Sequence, residues 1–273
     1  MKLIYITADP YQAGIADQSL IDYVMVDLEI NGKRERQSGR DTLISNHTVE
    51  DIRSVSGVLN HSKLLVRVNP IWEKSKEEID LSILYGAEAL MLPMFRSKEE
   101  VSKFLAFVNG RVECQLLLET SSGLEAIESI LELEGISTIH VGLNDLHKEL
   151  KLEFMFEIFV DDVLEKLSTK VIGRGISFGI GGIGRLNTDQ LVSPELILLE
   201  HLRLKSSQVI LSRDFKRIFL EAKSKHLPLM QESVNLIRAH TKKVEFSNPM
   251  EGASKHKLLE NIAAVIKEFE IPN

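Results

Sequence analysis

Leu116-Leu117-Leu118-Glu119-Thr120, followed by His140-Val141-Gly142-Leu143-Asn144-Asp145-Leu146, is the stretch whose reading decides the fold. Each segment is a short apolar run that ends at a carboxylate. Between them lies one amphipathic segment, Gly123 to Gly135, which predicts a helix crossing back over a sheet. The two strands should therefore run parallel and deliver Glu119 and Asp145 to the same rim. Two hard oxygen donors with no histidine or cysteine beside them suit Mg2+ or Mn2+ better than Zn2+. The competing reading is that each carboxylate caps the helix after it or pairs with a nearby Lys or Arg.

Outward from this pair the same grammar repeats. Strands are predicted at Leu3 to Ile6, Tyr23 to Leu28, Leu64 to Val68, Ala89 to Leu92, Glu113 to Leu118, Thr138 to Val141, Gly175 to Phe178 and Gln208 to Leu211. Thr48, Ser97 and Ser122 stand where N-caps belong, with acids in the first turn after them, and Gly86, Gly110 and Gly135 are stop signals. Strand-helix alternation implies parallel strands with crossover helices. Eight such units predict a (β/α)8 TIM barrel over residues 1–240 rather than a doubly wound sheet. Residues 241–273 read as a linker through Ser247-Asn248-Pro249-Met250-Glu251-Gly252 and an additional C-terminal helix from about Lys255 to Phe269, which can pack on its own subunit or, the favoured reading, on a neighbouring one.

Composition narrows the function classes. With 273 residues and 44% hydrophobic content the chain can bury one large core. A net charge of -7, with acids and bases interspersed, argues against a nucleic-acid protein, which needs a basic stripe. Cys114 is the only cysteine, so an internal disulfide and a cysteine-built metal site are both excluded; inside its apolar run it reads as a core residue. The N-terminus lacks a signal-peptide pattern and no run approaches the length of a membrane span, so a cytoplasmic protein is expected.

In a parallel barrel the site forms at the carboxyl ends of the strands, so polar residues that terminate apolar runs are the candidates. Strand two ends at Asp27-Leu28-Glu29, and strand three runs through Arg67 to Asn69. An arginine embedded in a strand needs a planar anion, either a substrate carboxylate gripped by its fork or a fixed partner such as Asp27, Glu29 or Glu119. The segment Gly179 to Gly184 formally contains G-x-G-x-x-G, but it follows the seventh strand, so a dinucleotide site is not expected. A tight rim loop whose amides at Gly181 and Gly182 meet an anion fits better. A long polar loop, Ile30 to Asn46, follows strand two and carries Lys33 and Arg40. His47 closes it, either as a general acid or base or as a surface histidine. His140 reads as a hydrogen-bonded core residue.

Taken together, Val26-Asp27-Leu28-Glu29, Val66-Arg67-Val68-Asn69-Pro70, Leu117-Leu118-Glu119-Thr120 and Val141-Gly142-Leu143-Asn144-Asp145-Leu146 resemble the HpcH/HpaI aldolase and citrate lyase beta-subunit family. The resemblance runs from strand two to strand six. It implies a barrel with an added C-terminal helix, a homo-oligomer, and Glu119 and Asp145 as ligands of Mg2+ or Mn2+. It also implies that Arg67 holds the substrate carboxylate or enolate, and that carbon-carbon bonds are cleaved or formed through a metal-stabilised enolate. The substrate would be a small hydroxy or oxo acid or its CoA thioester, held also by Asn69, Lys33, Arg40, Gly181 and Gly182.

Aldolases of this family usually carry a histidine directly after the Asp-x-Glu of strand two, where this chain has Ile30. Lys33 and Arg40 are similar instead to basic residues of citrate-lyase-like members. The proton-transfer group is thus open among Asp27, Glu29, His47 and a water on the metal. Two other activities are compatible with the pattern: an acyl-CoA thioester hydrolase on the same site, and a non-catalytic barrel that binds metal and a small acid.

Overall fold

A computed structural model of the chain describes residues 1–30, 47–159, 162–221, 224–247 and 251–270. Eight parallel strands close in sequence order: β1 Lys2–Ile6, β2 Tyr23–Asp27, β3 Lys63–Arg67, β4 Ala89–Leu92, β5 Glu113–Leu118, β6 Ile136–Val141, β7 Ser177–Ile183 and β8 Gln208–Leu211, with β8 paired back onto β1. The expected (β/α)8 barrel is therefore the fold. Alternation along each strand sorts the side chains. Leu116 and Leu118 face the helices, whereas Gln115 and Leu117 face the interior. The same period of two turns Glu119 inward at the top.

Helix starts follow the local rules. Thr48 forms a capping box with Asp51, and Ser97 accepts from the Glu100 amide. After β5 the expected single helix is instead two short ones, Ser121–Glu125 and Ile127–Ile130, and the cap is Thr120 rather than Ser122: its hydroxyl accepts from the Gly123 amide at 3.0 Å and donates to the Phe95 carbonyl at 2.7 Å.

The glycine run is the main correction to the strand assignment. β7 begins at Ser177 and continues through Gly179, Gly181 and Gly182 to Ile183, so these residues form ladder, not a rim loop. Close approach explains it. A Cβ at Gly179 would stand 2.5 Å from His140 Nδ1, and one at Gly181 would stand 3.3 Å from the Val141 carbonyl. The register shifts between Gly181 and Ile183, where Gly182 takes φ +93.

The barrel interior is divided. One side holds Ile4, Met25, Leu65, Ala89, Met91 and Leu117. The other holds a polar set in which Gln208 Nε2 donates to Gln115 Oε1 at 2.9 Å and lies 3.3 Å from His140 Nδ1. Cys114 is buried on the outer side, and burial pushes its thiol up to about 11.

The C-terminal region differs from its expected layout. Helix His226–Ser247 runs through the predicted linker, and a second helix, Glu251–Glu270, follows. Its Leu258, Ile262 and Val265 are buried in this chain itself, with the helix lying on Pro194–Arg203 and on the 3-10 turn Met155–Phe159. Those three side chains bring roughly 1.5–3 kcal/mol each, which is why the helix folds back onto its own barrel. Among the described residues no helix is long and apolar enough to cross a membrane.

His140 and His201 are both fully enclosed, and burial pushes each imidazole down from 6.5 to about 3, with the charges of His201 and Arg67 adding at His140. The unfolded chain takes up protons at both positions below its ordinary value, while the folded chain does so only near 3. The stability they bring is complete above pH 6.5 and is lost as pH falls through the window from 6.5 to 3. The expected slope is about 1.4 kcal/mol per pH unit for each histidine. Urea midpoints measured at several pH values in that window should flatten by one such contribution in His201→Gln; an unchanged slope would remove His201 as a source.

Candidate active site

The carboxyl rim is organised by a cross-strand pair. Asp27, the last residue of β2, lies in register with Arg67, the last residue of β3, and both side chains turn toward the barrel axis. Asp27 accepts two hydrogen bonds from the guanidinium, from Nε at 2.8 Å and from Nη2 at 2.7 Å. Glu29 Oε2 lies 3.5 Å from the same Nη2. Burial works against the charge on Arg67, but Asp27, Glu29 and Glu119 outweigh it and raise its pKa well above the ordinary range. The fixed-partner reading thus holds for one edge of the fork. Nη1, the remaining guanidinium nitrogen, makes no hydrogen bond among the described residues.

His47 is joined to this pair through the backbone. Its Nδ1 accepts from the Asp27 amide at 3.0 Å, which puts the proton of the neutral ring on Nε2. It thereby ties the end of β2 to the start of the helix Val49–Ser56.

Glu119 follows β5 directly and is 4% exposed. It does not cap the next helix, since Thr120 does so. Its carboxylate lies over Gly142, where a Cβ would stand 2.7 Å from Oε2. Gly142 in turn donates to the Leu118 carbonyl and opens the helix Leu143–Glu149 that carries Asp145. Asp145 meets the alternative reading partway, because Lys148 Nζ donates to it at 2.9 Å and Asn144 Nδ2 at 3.3 Å.

A cavity of about 350 Å³ opens on this rim, walled on one side by Asp27, Glu29, Arg67, Asn144 and Asp145. Three predicted binding residues are placed elsewhere. Asn69 is held away from it: its Oδ1 accepts from the Ile30 amide at 2.9 Å and its Nδ2 donates to Glu78, so it anchors the chain leaving β2. Gly181 and Gly182 lie within β7, where Gly181 pairs with Ile210 and Gly182 lines a neighbouring cavity. Lys33 and Arg40 lie outside the described residues.

The opposite wall was not anticipated. It is built by the end of β8 and the turn after it, through Leu211, Ser212, Arg213, Lys216 and Arg217. The signal was available, because Val209-Ile210-Leu211-Ser212-Arg213 is another apolar run ending in polar residues. Burial and the nearby Arg213 lower the Lys216 pKa, against the pull of Asp27.

Comparison with known proteins places this geometry. The family model for HpcH/HpaI aldolase/citrate lyase matches residues 3–157. A hydroxypyruvate/pyruvate aldolase of Roseovarius nubinhibens is 23% identical over 180 residues, a match spanning 52% of this chain and 62% of that protein. An HpcH/HpaI aldolase from Desulfitobacterium hafniense superposes with a TM-score of 0.61 at 17% identity, covering 85% of this chain and 93% of the other. An HpcH/HpaI aldolase/citrate lyase family protein from Burkholderia cenocepacia does so with a TM-score of 0.61 at 14% identity, covering 85% and 94%. At these identities the structures speak for the barrel alone, while the family match rests on the sequence of the first six strands and their loops. The chain belongs to the HpcH/HpaI aldolase/citrate lyase family.

Proposed function

We propose that this chain is a divalent-metal-dependent carbon-carbon lyase that acts on a hydroxy or oxo acid, or its CoA thioester, through an enolate. The observation that carries this reading is the Arg67 fork: Asp27 holds Nε and Nη2, and Nη1 is left for an anion in the cavity that Arg67 lines. A guanidinium fixed in this way meets a substrate carboxylate or enolate oxygen with little further ordering.

The donor set fits a hard divalent cation. Glu119 and Asp145 would hold it, since Gly142 clears the space beside the Glu119 carboxylate at the turn that carries Asp145. Two carboxylates leave the remaining coordination positions of such an ion to water and substrate. When bound, the cation supplies polarisation of the substrate carbonyl.

The chain's own residues divide the remaining work. Asp27 is committed to orienting Arg67, and His47 steadies the Asp27 backbone. Glu29 lies on the cavity wall, which supports reading it as the group that takes or returns a proton at the substrate.

Deuterium exchange into the methyl group of pyruvate in heavy water with Mg2+, followed by proton NMR, tests this reading. Exchange is expected in the wild type, is lost on chelation, and falls by about 10²-fold or more in Glu119→Gln and Asp145→Asn. Absence of exchange with both Mg2+ and Mn2+, or full exchange in the two variants, would sink it. Asp27→Asn leaves a buried guanidinium undercompensated, so urea denaturation should show a loss of about 3–5 kcal/mol together with weaker pyruvate binding. A loss below about 1 kcal/mol would show that Asp27 does not fix Arg67.

A further inference from the structure

The cavity has two walls of opposite sign. Asp27, Glu29 and Arg67, at the ends of β2 and β3, and Asp145, on the helix after β6, line one part of it; Arg213, Lys216 and Arg217, after β8, line another. The acidic wall has its own partners in Arg67 and Lys148. The basic wall is less completely paired. Lys216 is only partly exposed, yet neither its side chain nor that of Arg213 makes a hydrogen bond or an ion pair among the described residues, while Arg217 pairs with Asp214 at 3.8 Å. Two cations three residues apart on one short turn raise a local positive potential that favours an anion.

The turn that presents them is firmly anchored. Ser212 caps it by accepting from the Asp214 amide at 3.3 Å. Asp214 is gripped by Arg185, from Nε at 3.0 Å and from Nη2 at 3.1 Å, and by Gln190 Nε2 at 2.9 Å. These donors offset the burial of its carboxyl and keep its pKa below the ordinary value. Phe215 is fully buried behind it. Asp214 and Phe215 thus fasten the turn to the barrel, and the residues on either side of them, Arg213 and Lys216, line the cavity.

Resting on the lyase reading above, we propose that the substrate carries a second anionic group, distal to the one taken by Arg67, and that Lys216 and Arg213 receive it. A carboxylate and a phosphate share the needed chemistry, a compact anion able to accept two charge-assisted hydrogen bonds. The substrate then spans the mouth of the barrel, with its 2-oxo acid end toward β2, β3 and Asp145 and its distal anion at the turn after β8.

The test measures dissociation constants by calorimetry on the full chain with Mg2+. Oxaloacetate, 2-oxoglutarate and 2-oxoadipate are each compared with an uncharged counterpart, meaning a 2-oxo monoacid of the same length whose distal end is neutral, and 3-phosphonopyruvate serves as the phosphorus-containing arm. At least one charged acid is expected to bind about tenfold or more tightly than its uncharged counterpart, and whether that acid is a carboxylate or the phosphonate identifies the group. Lys216→Met and Arg213→Gln should each reduce this preference by about tenfold, whereas Lys170→Gln, on the far surface beside Glu128, should preserve it. Equal binding of charged and uncharged acids at every length, with pyruvate exchange intact, would overturn the second-anion site and leave the lyase reading standing. A preference that survives both cavity variants would overturn the assignment to Lys216 and Arg213. Failure of every 2-oxo acid to bind, with no pyruvate exchange, would overturn both.

Discussion

The buried pair of Asp27 and Arg67 is the constraint on which the rim depends. A guanidinium in the mouth of a barrel is costly unless a carboxylate meets it, and β2 and β3 are aligned so that the two last residues of the strands face each other. Each side chain is acceptable there only because the other is present. Arg67 also bears the charge of Glu29 and Glu119, so one cation is surrounded by three carboxylates. Three carboxylates around one guanidinium leave an excess of negative charge at this rim.

Beneath this pair the barrel is filled unevenly, and the unevenness positions the rim above it. Leu65, Met91 and Leu117 pack one side tightly, whereas Gln115, His140 and Gln208 occupy the other and need the glycines of β7 to make room. His140 stays neutral there because charging it would place a cation in an enclosed space already near Arg67. At the far side of the mouth, Arg185 and Asp214 repeat the logic of the first pair, joining the end of β7 to the turn after β8. The first pair lines the cavity, and the second anchors the turn that carries Arg213 and Lys216 into its lining.

Much of the architecture was legible because periodicity is a local property. The apolar runs located seven strands and the first residues of β7, and the caps at Thr48 and Ser97 located helix starts to the residue, whereas Ser122 gave way to Thr120. The errors arose where a side chain was missing or where the interaction was distant. Glycine carries no hydropathy, so the run from Gly179 looked like a loop, although its lack of Cβ atoms is what lets β7 pass His140. Breakers near Asn248 suggested a linker from 241, but the helix His226–Ser247 runs on to the residue before them. Asn69 sits in the same short stretch as Arg67, and only its bonds to Ile30 and Glu78 show that it faces away from the cavity.

The sequence by itself determined the barrel and the carboxylates that end β2, β5 and β6, because alternation and strand-helix spacing act over a few residues at a time. It also carried the family, through four short motifs in fixed order. Tertiary structure decided what those residues face. Closure of β8 onto β1 brings Arg213 and Lys216, some 150 residues after Arg67, to the other wall of the cavity that Arg67 lines. It also decided that Glu119 is no helix cap, since the cap is Thr120, and that the C-terminal helix buries its apolar stripe on its own chain. Such choices depend on distances between residues far apart along the chain, which are set only when the barrel closes.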